Sequence, residues 1–167
     1  QVYLHTQGDI KAMLKPLLLS DDLLHAPPIV KRPFDFLVSS LRVLSGDTDG
    51  GAVLQNHLAK MGQPLYQWPM PDGYPDTTQA WTGSLLARWN FALALCANEI
   101  GGTTVNVKET LRAKNVKTNA TFSTKTEALS QVLLAQSAPP FEYSHRANLG
   151  AQNIAALLLC SPQFQWR

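Results

Sequence analysis

The 167-residue chain is 45% hydrophobic and 16% charged, with a formal net charge of +2, a balance that excludes an unfolded, self-repelling polymer. No stretch gathers five or more like charges, so the electrostatic footprint that a phosphate backbone requires is missing and nucleic acid is not an expected partner. The longest apolar runs, such as Ile154 to Cys160, fall far short of the roughly 20 residues a bilayer-spanning helix needs.

From Asp9 onward, Ile10, Met13, Leu14, Leu17 and Leu18 recur with the spacing that lines one face of an α-helix. Pro16 lies inside that pattern, removes one ladder hydrogen bond, and predicts a kink or two short helices. The Pro27-Pro28 pair breaks the chain. Pro33 then takes the first position of a second helix, with Asp35 near its positive end and Phe34, Leu37, Val38, Leu41 and Leu44 along its face. Gly46, Asp47, Asp49, Gly50 and Gly51 supply the stop and a loop.

Val53, Leu54, His57, Leu58 and Met61 form a third helical stripe closed by Gly62. Residues 63–81 hold four prolines and read as one long irregular connection, a length that is uncommon and often functional. Residues 83–99 are apolar nearly all round and are expected to form a central helix packed on several sides. Gly101-Gly102 ends it. Thr103 to Val107 alternates like a strand, but a lone strand has no partner legible in the sequence, so an extended connector is preferred.

Thr124 and Glu127 show capping-box spacing ahead of Leu129, Val132 and Leu133. Leu149, Ile154, Leu157 and Leu158 mark the last long helix, separated from the previous one by Pro139-Pro140. Ser161-Pro162 is placed to cap a new turn, so Phe164 and Trp166 are expected to fold back onto the body. The expected architecture is all-α: a single domain over residues 1–167, an irregular bundle of about six helices around the central one. Cys96 and Cys160 both fall in apolar helical runs and are read as free thiols. The chain starts at Gln1 without the regions of a signal peptide, which gives the expectation of a piece of a longer protein.

Four tracts together resemble the domain-of-unknown-function 1800 family. They are Lys31-Arg32-Pro33-Phe34-Asp35-Phe36-Leu37-Val38 through Leu41-Arg42, Met61-Gly62-Gln63-Pro64-Leu65-Tyr66-Gln67, Leu85-Leu86-Ala87-Arg88-Trp89-Asn90-Phe91-Ala92, and Leu158-Leu159-Cys160-Ser161-Pro162-Gln163-Phe164-Gln165 ending in Arg167. The resemblance implies a C-terminal portion, about the last third, of a longer bacterial protein, with the envelope or the exterior as its compartment. It implies no activity. In the family the long loop commonly reads as paired prolines and a Gly-Trp-Pro step; here it runs Trp68-Pro69-Met70-Pro71-Asp72-Gly73-Tyr74-Pro75, with Tyr74 in place of the tryptophan.

That loop is where ligand chemistry would sit. Tyr66, Trp68, Tyr74 and Trp81 offer flat rings, Asp72 and Asp76 offer carboxylates, and the prolines restrict the backbone, a combination suited to gripping a sugar or a peptide. The competing reading is a lid whose rings fill the core, and it is preferred, because long loops in compact domains carry buried anchors. Asp72 and Asp76 as an acid and base pair are disfavoured, since spacing within a loop fixes no distance. Arg88, inside the apolar helix, requires a carboxylate, a carbonyl or solvent; Asp35, Asp72, Asp76 and Glu99 are candidates, and a structural ion pair is preferred to an anion site.

His5, His25, His57 and His145 lack ligand spacing, and Asp47 and Asp49 resemble a calcium loop without its ligand ladder, so neither metal nor cofactor is expected. His57 is read as a core histidine. Asn119-Ala120-Thr121 is treated as a chance glycosylation match. No phosphate loop, nucleophile elbow or zinc-hydrolase helix appears. The leading expectation is a structural or interaction domain of a larger bacterial protein, completed by the N-terminal part of its own chain or by another protein. The alternative is a ligand-binding or hydrolytic role centred on residues 64–81.

Overall fold

The computed structural model describes residues 1–117, 119–137 and 149–166. The expected break at Pro139-Pro140, His145 and the closing Arg167 lie outside the described residues. In chain order the elements are α1 (Val2–Thr6), α2 (Ile10–Leu18), α3 (Asp21–Leu24), α4 (Pro33–Val43), β1 (Asp47–Thr48), α5 (Ala52–Lys60), α6 (Thr78–Trp81), α7 (Leu85–Ala97), β2 (Thr103–Thr104), α8 (Val107–Ala113), α9 (Phe122–Leu133), α10 (Ala151–Cys160) and α11 (Pro162–Gln165). The fold is all-α apart from the two-residue β1 and β2. Among the described residues six helices reach nine residues or more: α2, α4, α5, α7, α9 and α10.

The body is built on α10, which lies between α7 and α9 and also touches α8 and α11. Ala155 and Ala156 keep its middle slim, so neighbouring backbones approach, and Ile154, Leu158 and Leu159 share one buried cluster with Phe91, Ala92 and Leu95 of α7 and Leu129 of α9. Phe36 of α4 seals one end, set edge-on to Phe91 (5.9 Å) and to Phe164 (5.8 Å). The expectation that α7 packs on several sides is corrected: one face is buried, at Arg88, Phe91, Ala92, Leu95 and Cys96, while Leu86, Trp89 and Leu93 remain exposed. α10 takes the central role because its apolar residues are flanked on both sides by helices.

Further differences have local causes. Thr103 and Thr104 do find a strand partner, pairing antiparallel with Thr48 and Asp47, and the Thr48 and Thr103 hydroxyls meet at 2.7 Å. The partner lies across more than fifty residues of chain, which a local pattern does not reveal. Asn98 ends α7 in the left-handed conformation (φ 59°), and its amide nitrogen donates to the Val105 carbonyl while its oxygen accepts from Val105 N–H, tying the helix end to β2. The cap of α9 is Thr121, whose hydroxyl accepts from Thr124 N–H; Thr124 therefore lies inside the helix rather than at its cap.

α2 runs continuously through Pro16, near its C-terminal end. Its N-cap Asp9 accepts from Lys11 and Ala12 N–H. α1, α3 and α8 are too short for periodicity to mark. At the other end of the chain, Phe164 is buried, but Trp166 is 40% exposed and is held by its backbone, which bridges Val30. The expected folding-back therefore applies to one ring of the two. Cys96 and Cys160 are free, the first buried and the second half-buried.

Candidate functional site

The loop between α5 and α7 starts at Gly62, whose φ of +90° is open to glycine and strained for other residues. Gln63 follows, buried, and its side-chain oxygen accepts the Phe34 N–H at 2.8 Å. That N–H belongs to the first turn of α4, where no intrahelical partner exists, so a loop residue caps a helix 29 positions away. The irregular stretch is shorter than expected, because Thr78–Trp81 coils into α6 and Thr82–Ser84 adds a 3-10 turn leading into α7.

Within the loop the rings form a ladder. Trp68 and Tyr74 lie 4.9 Å apart and Tyr74 and Trp81 6.2 Å apart, all tilted. The polar tips of these three rings are answered inside the loop. The Trp68 indole donates to Asp72 (3.0 Å), the Tyr74 hydroxyl donates to the Pro64 carbonyl, and the Trp81 indole donates to the Pro75 carbonyl (2.9 Å). Trp81 is buried and Tyr74 half-buried, while Trp68 is 37% exposed. Tyr66 stands wholly in solvent with a left-handed φ of 57°, unusual for a residue with a Cβ. The structure thus gathers Trp68, Asp72, Tyr74 and Trp81 into one self-bonded unit and leaves Tyr66 outside it. Asp76 follows Pro75 in the chain and has an interaction of its own.

Trp81 links this unit to Arg88. Its carbonyl accepts from the Ser84 hydroxyl (3.0 Å), and that hydroxyl in turn accepts from Arg88 Nε (3.0 Å). Arg88 is 0% exposed, yet its partners among the described residues are all uncharged: Ser84, the Gln165 side-chain oxygen (Nη1, 3.0 Å) and the Lys31 carbonyl (Nη2, 2.8 Å). The expected ion pair is therefore corrected to a neutral cradle. Asp35, one of the candidates, instead pairs with Arg32 at 3.3 Å. Burial pushes the guanidinium down from 12.5 to about 10, which keeps it protonated at neutral pH. The Phe36 ring lies 5.4 Å beneath it.

Gln165 and Lys31, neither singled out from the sequence, complete the junction. Gln165 O accepts from Lys31 N–H (2.8 Å), Gln165 Nε2 donates to the Leu159 carbonyl (2.8 Å), and Lys31 Nζ sits 3.8 Å over the Phe164 ring. The only hint available was that both lie in tracts that carry the family resemblance. Three of the five Arg88 N–H groups donate, each to a different stretch of chain, and the side chain is fully buried, so the arrangement clamps segments together rather than presenting a charge to an anion.

Other expected features separate. His57 is half-buried against Phe91 (5.7 Å between rings), and its pKa is lowered by burial first and by Lys60 second. Asp49 accepts from Gly51 N–H at 2.7 Å, so its carboxylate shapes the turn before α5. Among the described residues, no group of three or more His, Cys, Asp or Glu side chains comes together, and no helix is long and apolar enough to cross a membrane.

Four surface cavities lie around α8, away from the aromatic loop. One, of about 500 Å³, is bordered by Asp47, Asn98, Asn106, Lys108 and Gln152. The side-chain oxygens of Asn98 and Asn106 already accept backbone N–H groups there, as caps of the neighbouring elements.

A family model described as "Protein of unknown function (DUF1800)" matches residues 1–166. Comparison with curated proteins and with solved structures gives no match.

Proposed function

We propose, from the premise that the chain belongs to the DUF1800 family, whose function is unknown, that it is an interaction domain: a helical body carrying an apolar arm that another protein surface covers. The observation behind this is the arm itself. α1 and α2 contain no buried residue, and Tyr3, Leu4, Ile10, Leu14, Leu17, Leu18, Leu19 and Leu23 are 45–78% exposed. An isolated helix of nine residues is marginal in water and gains its stability from packing an apolar face. A continuous apolar surface of this kind marks an interaction site.

The self-bonded loop supports the same reading. Its indoles, the Tyr74 phenol and Asp72 are engaged with one another or with its own backbone, as befits a built-in strut over the start of α7. The covering surface is either more of its own chain, as the C-terminal portion of a longer exported bacterial protein, or a separate protein. The test substitutes Leu14→Lys together with Leu17→Lys and follows the body by thermal melting and the arm by limited proteolysis in the producing cells. The reading expects an unchanged body and an arm that becomes protease-sensitive. An arm equally resistant with and without the lysines refutes it.

One observation favours the ligand-binding alternative. Tyr66 is held entirely in solvent at a backbone conformation that costs on the order of 1 kcal/mol, beside the partly exposed Trp68. A sugar or peptide stacking there would lose affinity in Tyr66→Ala with no loss of stability. Equal retention of a glycan and peptide panel by both forms would dispose of it.

A further inference from the structure

Among the described residues the arm is one of two helix faces with a stripe of exposed large apolar side chains. The second is the outer face of α7, where Leu86, Trp89 and Leu93 are exposed. On α2 the exposed residues Ile10, Leu14 and Leu17 stand at offsets 0, 4 and 7; on α7 the exposed residues stand at offsets 0, 3 and 7. Each stripe is two turns long, about 10 Å. A row with four-residue steps lies into a groove bounded by three-residue steps at a shallow crossing angle of about 20°, the geometry of most helix bundles.

The two faces do not cover each other within one molecule, since both are exposed. Between arm and body run residues 25–29, without helix and with Pro27-Pro28 at their centre. Paired prolines favour an extended backbone and remove two N–H donors, so this linker is stiffened against folding the arm back onto the body. A chain that carries both halves of a helix-on-helix contact, and a spacer keeping them apart, is suited to make that contact between molecules.

We infer that a second copy of this chain covers the arm, with α2 of each molecule seated on the Leu86, Trp89 and Leu93 face of the other. This rests on the interaction reading above and names its partner. The area is sufficient. The reciprocal contact covers Ile10, Leu14, Leu17, Leu18, Leu86, Trp89 and Leu93 twice over, each about half exposed. At roughly 50 Å² of exposed apolar surface per side chain, the pair withdraws about 700 Å² of apolar surface from water. With an apolar share of about 60%, the whole interface is about 1,200 Å², at the lower edge of specific protein interfaces. A reversible dimer follows.

Sedimentation velocity of the purified chain from about 1 to 200 μM tests this. The expected result is a concentration-dependent monomer–dimer equilibrium, with Leu14→Lys and Leu86→Lys each raising the dissociation constant at least tenfold while the circular dichroism and melting of the body stay unchanged. In a Cys160→Ser background, chains carrying Leu17→Cys and chains carrying Leu93→Cys should form disulfide-linked pairs when mixed. A monomer at every concentration overturns the inference, as does a dimer indifferent to Leu86→Lys. A disulfide within one molecule of a doubly substituted chain, Leu17→Cys with Leu93→Cys, would show the arm closing on its own α7 and would also overturn it. A monomer whose arm the Leu14→Lys and Leu17→Lys pair exposes to protease in cells refutes the second copy alone. A monomer whose arm the same pair leaves unchanged in cells refutes the interaction reading as well.

Discussion

Replacing Arg88 with methionine sets two opposed terms against each other. The wild-type guanidinium is fully buried and its pKa falls from 12.5 to about 10, which corresponds to about 3 kcal/mol of lost solvation that Arg88→Met recovers. Against this stand three hydrogen bonds from a charged donor, each contributing about 1.5–3 kcal/mol, with the buried Gln165 side-chain oxygen deprived of its Arg88 donor. The second term wins. Chemical denaturation should show Arg88→Met destabilised by about 2–5 kcal/mol. Arg88→Lys should lose less, because an ammonium can answer one of the acceptors. Gln165→Leu should couple to Arg88→Met by about 1 kcal/mol or more in a double-mutant cycle, since each removes the same contact. If Arg88→Met matches the wild type within about 0.5 kcal/mol, or the two changes add, the clamp at Arg88 does not hold these segments together.

Other consequences are more local. Gly102 has φ +75°, and an added Cβ would meet the Asp49 carboxylate; Gly102→Ala should cost about 1–3 kcal/mol by thermal melting, whereas Gly83→Ala, with open space around it, should be nearly neutral. Burial pushes the Cys96 thiol up from 9.0 to about 12 and that of Cys160 to about 11. An acid whose folded pKa is raised contributes stability below its unfolded pKa, so stability should decline as pH rises past 9, with a slope from Cys96 of up to about 1.4 kcal/mol per pH unit. Above pH 10 the lowered pKa of Arg88 acts in the opposite sense, so the decline should be steepest between pH 9 and 10. Titration with a thiol reagent at neutral pH checks the same burial: Cys96 should react only on unfolding. Tyr74→Phe deletes the hydroxyl that donates to Pro64 and should destabilise the protein by about 0.5–1.5 kcal/mol, with Trp68 fluorescence shifting toward that of exposed indole.

The long helices α4, α5, α7, α9 and α10 were legible because each repeats apolar residues over at least two turns, long enough for a 3.6-residue period to stand out. α8 was not, because seven residues carry too little period, and its cap Asn106 belongs to a residue type common in any turn. The β1–β2 pairing escaped because its partners are far apart in sequence and two residues long. At the candidate site the residue types were readable and their partners were not. Asp72 is a candidate ligand carboxylate or Arg88 partner by residue type but accepts from the Trp68 indole, and Arg88, expected in an ion pair, sits in a neutral cradle. What the sequence carried without explaining was the set of four separate tracts with family character. In the fold, Lys31, Gln63, Arg88 and Gln165, one from each tract, connect through the Arg88 cradle and the cap on α4.

The same limit governs the two uncovered faces. A hydrophobic period states which side of a helix avoids water and is silent on what covers that side, because covering is a relation between distant segments or between molecules. α10 and α2 show it plainly. Both are amphipathic or apolar helices of similar length, yet α10 packs against α7, α9, α8 and α11, whereas α2 contains no buried residue. The difference lies in position along the chain. α10 is surrounded because the chain places helices on both of its sides, whereas α2 lies beyond a linker with paired prolines and its apolar face stays exposed. Shortening that linker by deleting Pro27 and Pro28 should therefore act on association and leave the core untouched, since none of the buried cluster precedes Phe36.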